Sequence, residues 1–483
     1  MAVKATGVAH LVGIGGIGVS GLARILLSHG YSVSGSDLQK SALTESLEAM
    51  GVRVSAGHDG KNLPDGCSVV VRSAAIPDDN PEIAEARERK IEVVKYAEMV
   101  GRLMAAKSGI AIAGCHGKTT TTSMVSFVLA RAGLEPTFVC GGVIPQLGTN
   151  AAPGRGKHFV AEACEYDRSF HQLKPQCAVI TNIEEDHLDY YRDLTEIVAA
   201  FEEFAQKVGD KGIVIGSLDN PHSAAIVGRF KGRGEGYSTV KSSDTRTGKD
   251  ADWRAKNIQV ADGLWRFEVL KYGRPFGEFS LGVPGVHNVS NALAAIAVAT
   301  WAGVGREIIQ LALSEFSGAE RRFELLGEKN GVLVIDDYGH HPTEIAATLR
   351  SARERYPDRK IWCVFQPHQH SRTKLLMKQF ARSFGDANLV LLPEIYAARD
   401  TEKDMKSVSS ADLAKLVNED GKAALFLPTF DDVVRFLNEK AEPNTVVVTM
   451  GAGNVGEVGR RFLETRAPGS RSSSPVENRG PQP

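Results

Sequence analysis

The sequence lacks the long apolar stretches and the paired cysteines that would place it in a membrane or outside the cell. No apolar run approaches the ~20 residues needed to cross a bilayer, and Met1 to Gly7 lacks the charged-then-apolar layout of a signal peptide. The six cysteines are scattered without a C-x-x-C pair, which favours reduced thiols over a disulfide framework or a zinc site. We therefore expect a cytoplasmic protein that does not bind a membrane.

The sequence also lacks a charge of one dominant sign. The 57 lysines and arginines nearly cancel the 58 aspartates and glutamates, so no overall field attracts nucleic acid, and any polyanion must be met by a local site. With 483 residues and ~150 residues per domain, the length indicates about three domains. The hydrophobic fraction of 42% is enough for a core in each.

The most informative segment that is present places a lysine and two hydroxyls where a strand passes into a helix. The strand is Gly109 to Ala113, and the segment is Gly114-Cys115-His116-Gly117-Lys118-Thr119-Thr120. Such a loop directs backbone N–H groups and a helix dipole at an anion, while the lysine reaches phosphates and Thr119 can bind Mg²⁺. The full G-x-x-x-x-G-K-[ST] pattern is incomplete, because Ile112 occupies the position of the first glycine. The segment predicts a site for a nucleoside triphosphate.

A second glycine-rich turn follows the strand Val8 to Val12. Gly13 to Gly18 matches G-x-G-x-x-G, and Asp37 follows about 20 residues later, so a Rossmann-like βαβ unit is predicted. The same pattern recurs at Gly451 to Gly456. It therefore predicts a tight strand-to-helix turn and a possible anion site, without establishing NAD as the ligand.

Carboxylates follow two further predicted strands. Glu162 to Asp167 comes after the strand Phe159 to Ala161, and Glu184 to Asp189 comes soon after the strand Ala178 to Ile180. Acids at the carboxyl ends of parallel strands face the ligand crevice, where oxygen donors suit Mg²⁺. The alternative is a pair of solvated acidic loops. Downstream, Asn288 and Asn291 share a helical face and suit either a base or ribose, or the capping of a helix.

The last predicted block alternates strands and helices from Val332 to about Leu463. Its first strand ends before Asp337, His340, His341 and Glu344, a group that resembles a metal site only superficially. Adjacent histidines diverge in direction and the H-E-x-x-H spacing is absent, so zinc is not favoured. The tail from Arg466 to Pro483 has almost no apolar residues, and we expect it to be disordered.

Seven segments in order resemble those of the Mur ligase family. They are Gly-Cys-His-Gly-Lys-Thr-Thr-Thr, Glu-Ala-Cys-Glu-Tyr-Asp-Arg-Ser-Phe, Asn-Ile-Glu-Glu-Asp-His-Leu-Asp, His-Asn-Val-Ser-Asn-Ala, Arg-Arg-Phe-Glu, Asp-Asp-Tyr-Gly-His-His-Pro-Thr-Glu and Gln-Pro-His. The resemblance covers the chain up to its tail. It implies an ATP-dependent ligase of peptidoglycan precursor synthesis, acting through an acyl phosphate and closing its third domain over the site. The double histidine and Gln-Pro-His favour the member that joins L-alanine to UDP-N-acetylmuramate, with a murein-peptide-recycling ligase as the alternative.

The resemblance also implies roles for particular residues. The UDP substrate is expected at Gly15, Gly16, Ile17, Gly18, Ser36, Asp37 and Ser73. ATP is expected at Gly114, Cys115, His116, Gly117, Lys118, Thr119, Thr120, Asn288, Asn291, Arg322 and Asp337. Thr119 and Glu165 are expected to bind one Mg²⁺ and His187 a second. Cys115 departs from the family's usual threonine, and Asn454 from its usual aspartate.

The incoming amino acid carries a carboxylate that must be held away from the reacting centre. A guanidinium offers a planar two-point clamp for it, and Arg372, just after Gln-Pro-His, is our candidate. His341 and His368 are predicted to lie nearby and to position or deprotonate the amine. The predicted catalytic residues are Lys118, His187, Arg322 and His341.

The predicted fold is α/β with three domains: an N-terminal Rossmann-like domain at 1–107, a central ATP-binding domain with a mostly parallel sheet at 108–326, and a C-terminal Rossmann-like domain at 327–465. A monomer or a homodimer fits this organisation. Two other classes remain open on sequence alone. An NAD(P)-dependent oxidoreductase would use Gly13 to Gly18 but would not need Lys118 and Thr119. A nucleotide-binding regulatory protein would not need the acid clusters.

Overall fold

The computed structural model describes residues 7–188, 190–240, 250–398 and 400–465. The chain forms two compact units, one ending at Phe323 and the other beginning at Glu324. The predicted disordered tail lies outside the described residues. Among the helices of the described ranges, none combines the length and the apolar character needed to span a bilayer.

The first sheet has five parallel strands in the order β3-β2-β1-β4-β5. Its elements are β1 (Val8–Val12), α1 (Ile17–Ser28), β2 (Ser32–Asp37), α2 (Ala42–Ala49), β3 (Arg53–Ala56), β4 (Cys67–Arg72), α3 (Pro81–Glu88), β5 (Glu92–Lys95) and α4 (Tyr96–Met104). Buried apolar residues of β1 and α1 belong to one core. The first glycine-rich turn follows the end of β1 directly, and the end of β2 lies next to it.

The second sheet has ten strands in the order β15-β14-β13-β12-β11-β10-β6-β9-β7-β8. It contains β6 (Ser108–Ala113), α5 (Lys118–Arg131), β7 (Thr137–Ile144), β8 (Thr149–Ala152), β9 (His158–Glu162), β10 (Pro175–Ile180), α6 (Leu194–Gln206), β11 (Ile213–Ser217), α7 (Pro221–Arg229), β12 (Arg233–Ser238), β13 (Trp253–Ala261), β14 (Leu264–Lys271), β15 (Arg274–Leu281), α8 (Val286–Trp301) and α9 (Arg306–Glu315). Strands β7, β9, β6, β10, β11, β12 and β13 are parallel to their neighbours in that series. The pairs β7–β8, β13–β14 and β14–β15 are antiparallel. The predicted mostly parallel central sheet is confirmed.

Helices α5 and α8 pack against the second sheet. Both are buried along most of their length, and their apolar residues belong to one core with the inner strands. Helix α8 begins at Val286, with Gly285 as its N-cap. Asn288 and Asn291 therefore lie in the first turns of the helix.

The second compact unit contains a six-stranded sheet in the order β16-β17-β21-β18-β19-β20. Its elements are β16 (Glu324–Lys329), β17 (Val332–Asp337), α10 (Pro342–Arg355), β18 (Lys360–Phe365), α11 (His370–Leu375), α12 (Met377–Arg382), β19 (Leu389–Leu392), α13 (Glu402–Met405), α14 (Ser410–Glu419), β20 (Ala424–Phe426), α15 (Phe430–Lys440), β21 (Thr445–Met450) and α16 (Gly456–Glu464). Only β16, at the edge, is antiparallel to its neighbour among these described strands. The predicted three α/β sheets are all present, while the exact domain limits stay predictions.

Candidate functional site

Two glycines close the loop between β6 and α5. Gly114 and Gly117 have φ angles of 141° and 81°, which residues with a side chain rarely adopt. A Cβ atom on Gly114 would lie 1.9 Å from Thr181 Oγ1. A Cβ atom on Gly117 would lie 2.5 Å from Asn291 Oδ1. Ile112 is fully buried in β6, so the turn begins at Gly114 and does not need a glycine at position 112.

The residues after β10 hold this loop in place. The His116 N–H donates to Asn182 Oδ1 at 2.8 Å, and Asn182 Nδ2 donates to the His116 carbonyl at 3.0 Å. Thr181 Oγ1 donates to the same carbonyl at 2.6 Å. The sequence analysis missed this role for Thr181 and Asn182. The bonded residues are 66 positions apart for His116 and Asn182, and no local pattern reports such a contact.

Cys115, the departure from the usual threonine, is buried and hydrogen-bonded. Its thiol donates to the Glu184 carbonyl at 3.4 Å and accepts from the Glu184 N–H at 3.2 Å. A hydroxyl also combines one donor with acceptor capacity, so the thiol can occupy the place of a threonine oxygen. Burial raises the pKa of the Cys115 thiol well above its ordinary value, which keeps it protonated and weakly nucleophilic.

Lys118, the first residue of α5, folds back over the loop. Its Nζ donates to the carbonyls of Gly114 and Cys115 at 2.5 and 3.1 Å and lies 3.0 Å from the Glu165 carboxylate. Burial by itself would lower the pKa of Lys118, but the Glu165 carboxylate outweighs it and raises that pKa. Burial would likewise raise the pKa of Glu165, and the charges of Lys118 and His187 hold it below its ordinary value. The pair is therefore ionised.

Three potential metal ligands converge beside this pair. Ligand atoms of Glu165, Asp186 and His187 all lie within 4.8 Å of one another. His187 Nε2 is 3.5 Å from Glu165 Oε1 and 3.7 Å from Asp186 Oδ2. Glu165 Oε2 is buried beside Lys118 Nζ, which is 3.0 Å away, and it makes no hydrogen bond within the described part of the chain. Carboxylate oxygens and an imidazole nitrogen at these distances suit a cation. Asp186, which the sequence analysis did not select, belongs to the cluster.

Arg322 and the two asparagines surround the same loop. Arg322 Nη2 donates to Thr119 Oγ1 at 3.3 Å, although the two residues are 203 positions apart. Asn288 Nδ2 donates to the Pro284 carbonyl at 2.6 Å, which closes the first turn of α8. Asn291 Nδ2 donates to Asn288 Oδ1 at 3.1 Å, and its Oδ1 lies against Gly117. Thr120 is buried in the first turn of α5. The structure thus brings together the predicted ATP-binding residues that belong to the first compact unit.

The turn after β1 is fixed by the end of β2. The N–H groups of Gly13 and Ile14 donate to the Ser36 carbonyl at 2.8 and 3.0 Å. The Gly15 N–H donates to Asp37 Oδ2 at 2.8 Å. The acid of the dinucleotide fingerprint therefore holds the loop itself. Gly16 is the N-cap of α1, and no side chain caps that helix, so its first N–H groups remain for a ligand.

The other predicted UDP-binding residues lie around this turn. The Ser36 side chain is fully buried and donates to Glu82 Oε2 at 2.5 Å, so its contribution to the loop is its carbonyl. Ser73 lies beneath the turn, 3.1 Å from where a Cβ atom of Gly13 would stand. The Ile17 carbonyl accepts from Asn150 Nδ2 at 2.6 Å, which joins the turn to β8 of the central sheet.

The residues predicted to bind the incoming amino acid belong to the second compact unit. His341 is the buried N-cap of α10, and its Nδ1 accepts from the Thr343 N–H at 3.4 Å. Glu344 Oε2 accepts the N–H groups of His340 and His341, at 2.9 and 3.1 Å. Glu344 thus acts as a helix cap.

The other predicted residues of this unit lie near strand ends. Asp337 is the buried last residue of β17, and its Oδ1 accepts the Gly339 N–H at 2.7 Å. The His368 ring stacks on Tyr396 with 5.4 Å between ring centroids. Arg372 lies in α11, whose start is held by Asp400 through His370 Nδ1 at 2.9 Å and Ser371 Oγ at 3.0 Å.

The described part of the chain forms three sheets flanked by helices. The central one carries a lysine-bearing phosphate loop beside a cluster of acids and a histidine. These features together define a nucleotide-dependent α/β enzyme. The family comparison is more specific. The Mur ligase family, catalytic domain, matches residues 8–108, the Mur ligase middle domain matches residues 112–299, and the Mur ligase, glutamate ligase domain, matches residues 321–453. The chain belongs to the Mur ligase family and has its three-domain architecture.

Several individual proteins are similar to this protein over nearly the whole of its chain. The UDP-N-acetylmuramate–L-alanine ligase of Geotalea daltonii is 45% identical over 94% of this chain and 97% of its own. The enzyme of the same name from Salinibacter ruber is 43% identical over 94% of both chains. Among solved structures, the UDP-N-acetylmuramate-alanine ligase of Thermotoga maritima matches with a TM-score of 0.80, at 29% identity over 94% of this chain and 98% of that one. A murein peptide ligase from Psychrobacter arcticus matches with a TM-score of 0.68, at 25% identity over 94% and 98% of the two chains.

Proposed function

We propose that the protein joins L-alanine to the carboxylate of UDP-N-acetylmuramate in an ATP-dependent reaction that forms an acyl phosphate, as a step of peptidoglycan precursor synthesis. The observation that carries this proposal is the ionised Lys118–Glu165 pair in a phosphate loop, in a chain 45% identical to a ligase of that name. The murein peptide ligase has lower identity, at 25%, and is the alternative that the experiment below addresses.

The phosphate loop is built before ATP arrives. Gly114, Gly117 and the bonds from Asn182 fix the backbone, and α5 begins at Lys118 without a side-chain cap. Its first N–H groups and its dipole are therefore available to phosphate oxygens. The Lys118 ammonium, bonded to two loop carbonyls, lies over the same turn and contributes positive charge there. Binding requires little rearrangement of the backbone.

The reaction needs an activated carboxylate. A carboxylate anion resists attack by an amine, so the γ-phosphoryl group of ATP is transferred to it, giving an acyl phosphate and ADP. The amine of alanine then attacks the acyl carbon, and the tetrahedral intermediate expels phosphate and leaves an amide. Transfer brings anions together, so the cationic side chains of Lys118 and Arg322 lower its barrier by offsetting negative charge. Arg322 is within reach, because its Nη2 contacts Thr119 Oγ1 of the phosphate loop.

The acid and histidine cluster is suited to Mg²⁺. We propose that Thr119 and Glu165 hold one Mg²⁺ and that His187 holds a second, with Asp186, whose carboxylate lies in the Glu165–His187 cluster, as a further oxygen donor. When bound, Mg²⁺ would neutralise charge on the transferring phosphoryl group. The chain's own contribution is a rigid donor set. The Tyr191 hydroxyl donates to the Glu165 carbonyl at 2.5 Å, and the Tyr166 ring packs on the His187 ring at 5.0 Å.

We place the binding site for the incoming alanine in the C-terminal unit. We propose that Arg372 holds the alanine carboxylate and that His341 and His368 position the amine or take its proton. Because His341 Nδ1 accepts from a backbone N–H, a neutral His341 carries its proton on Nε2. His368 is held by its stacking on Tyr396.

One assay tests the proposal. Phosphate release is measured with ATP, Mg²⁺ and UDP-N-acetylmuramate, alone and with alanine, serine, glycine or the peptide L-alanyl-γ-D-glutamyl-meso-diaminopimelate. We expect release that depends on alanine and yields the amide product. Release that depends on the peptide would support the murein peptide ligase, and no release with any acceptor would refute a ligase function. In addition, oxygen-18 from the substrate carboxylate should appear in the released phosphate, whereas label in AMP would indicate adenylation.

A further inference from the structure

Glu82, the second residue of α3, is a fully buried carboxylate that the proposed reaction does not use. A charged side chain is rarely buried unless hydrogen bonds or an opposite charge compensate for the lost water. The groups that contact Glu82 belong to β1, β2 and the segment after β3. The turn assigned to the diphosphate follows β1 directly and is bonded to the end of β2, so Glu82 contacts the elements that hold that turn.

The Glu82 carboxylate accepts hydrogen bonds from four groups. Its Oε2 accepts from Ser36 Oγ at 2.5 Å and from His10 Nε2 at 3.3 Å. Its Oε1 accepts from Asn62 Nδ2 at 2.6 Å and from the Asp59 N–H at 3.2 Å. An ionised carboxylate only accepts, at about four lone-pair sites, so these donors match its capacity. An amide at the same place would turn an NH₂ group toward two of them.

The directions of the hydrogen bonds around Glu82 are mutually consistent. The Ser34 hydroxyl, 2.9 Å from His10 Nδ1, donates to that nitrogen, so a neutral His10 carries its proton on Nε2, which faces Glu82. Because the Ser36 hydroxyl donates to Glu82, its oxygen accepts from His58 Nδ1, which is 2.9 Å away. Ser36 Oγ is therefore held from two sides.

The hydrogen bonds keep this carboxylate charged. Burial by itself would raise the pKa of Glu82, but hydrogen bonds from His10, Ser36 and Asn62 outweigh burial and hold that pKa below its ordinary value. Hydrogen bonds to an ionised acceptor are stronger than neutral ones. Glu82 thus fixes its partners more firmly than a neutral side chain would.

The backbone of Ser36 carries this restraint to the turn after β1. Its carbonyl accepts the N–H groups of Gly13 and Ile14, at 2.8 and 3.0 Å. The next residue, Asp37, accepts the Gly57 N–H through its carbonyl at 2.7 Å, so the segment after β3 also contacts the end of β2. The carboxylate holds both the Ser36 side chain and that segment. A turn that binds a ligand through its N–H groups depends on where its backbone lies.

We propose that Glu82 is a positioning residue for the sugar nucleotide, which holds Ser36 and thereby sets the backbone of the turn that binds the diphosphate. The inference rests on the proposed function for the identity of that ligand. Glu82 acts through Ser36 and does not contact the ligand, because its own side chain is 0% exposed. The loop after β6 is held by Thr181 and Asn182 instead, so it does not depend on Glu82.

Calorimetric titration with UDP and, separately, with ATP tests this role. We expect Glu82→Gln to raise the Kd for UDP about tenfold and Ser36→Ala, which keeps the carbonyl, to raise it about fivefold. The Kd for ATP should stay within about twofold of the wild-type value in both variants. If Glu82 acts through Ser36, the double variant should bind UDP no more weakly than Glu82→Gln alone.

Glu235, in β12, offers a matched control. It is also a buried carboxylate, and it accepts from Trp253 Nε1 and from Tyr272 Oη, each at 2.7 Å. Glu235→Gln should lower the midpoint of urea unfolding, as Glu82→Gln does, and should change neither Kd. A loss of stability alone therefore does not reproduce the expected result.

Three outcomes would overturn the proposal. The first is an unchanged Kd for UDP in Glu82→Gln, or in Ser36→Ala should the glutamine variant not fold. The second is an equal rise of the Kd values for UDP and ATP, because the substitution would then act on the whole unit. The third is full additivity of the two substitutions, because Glu82 would then not act through Ser36.

The proposed function and the role of Glu82 can fail separately. Wild-type protein that binds UDP, yet does not consume ATP with UDP-N-acetylmuramate and alanine, would refute the ligase function only. Wild-type protein that does not bind UDP would refute both. The Kd values for UDP in the variants report on Glu82 independently of turnover.

Discussion

The Lys118 ammonium lies 3.0 Å from the carboxylate of Glu165, a side chain that is only 2% exposed. Each charge offsets the desolvation cost of the other, because an unpaired buried ion loses its hydration without compensation. The pair also joins the phosphate loop to the proposed metal site. Removing either partner therefore affects stability as well as catalysis, and the two effects need separate measurements.

We predict that Lys118→Ala abolishes turnover and lowers the free energy of unfolding by about 3 kcal/mol, since it leaves a buried carboxylate unpaired. Adding Glu165→Gln should restore most of that stability without restoring activity. Urea unfolding and phosphate release measure the two effects. Binding of UDP-N-acetylmuramate should stay nearly intact, because its diphosphate is assigned to a different βαβ unit.

The exposed Lys207, at the end of α6, offers the matched control, and Lys207→Ala should change neither quantity. Catalysis that persists in Lys118→Ala would contradict the phosphate-binding role of the lysine. A loss of UDP-N-acetylmuramate binding equal to the loss of turnover would contradict the separate assignment of the two loops.

A second prediction concerns Asp37, which accepts the Gly15 N–H at 2.8 Å. Asp37→Ala removes this acceptor and should raise the Kd for UDP about fivefold, with the KM for ATP unchanged. Asp37→Asn keeps a carbonyl oxygen at the same place and should stay within about twofold of the wild type. If Asp37 instead bound ribose hydroxyls through its charge, the asparagine variant would weaken UDP binding as strongly as the alanine variant does.

The strands and glycine turns around these residues could be predicted from local sequence. Short, mostly apolar runs indicate β1, β6, β9 and β10, and a glycine with positive φ is found where the turns after β1 and β6 begin. The acids after β9 and β10 converge as predicted, because the carboxyl ends of parallel strands meet at one edge of a sheet.

Other parts of the site depend on contacts between distant segments. Asn182 holds His116 from 66 positions away, and Arg322 contacts Thr119 from 203 positions away. Neither asparagine nor arginine carries a local pattern that reports such a partner. Local patterns identify the loops, and packing determines which side chains complete them.

The third prediction concerns pH and stability. His158 is 2% exposed, neither ring nitrogen has a hydrogen-bond partner among the described residues, and burial lowers its pKa. The unfolded chain therefore binds more protons than the folded one below pH ~6.5, and stability should fall as the pH drops through that value. His158→Phe should reduce this loss between pH 7 and pH 5, as measured by urea unfolding. Equal pH dependence in both proteins would show that His158 does not contribute.

The last prediction concerns Arg372, in a short helix whose start Asp400 holds through His370 and Ser371. A lysine keeps the charge but loses the two-point geometry of a guanidinium. Arg372→Lys should therefore raise the KM for alanine about tenfold, which corresponds to ~1.4 kcal/mol, and leave the KM for ATP unchanged. Arg382→Lys, at the end of α12, is the control and should have no effect. Parallel increases for alanine and ATP would indicate a role in binding phosphate, and no change in either would show that Arg372 does not contact the substrate.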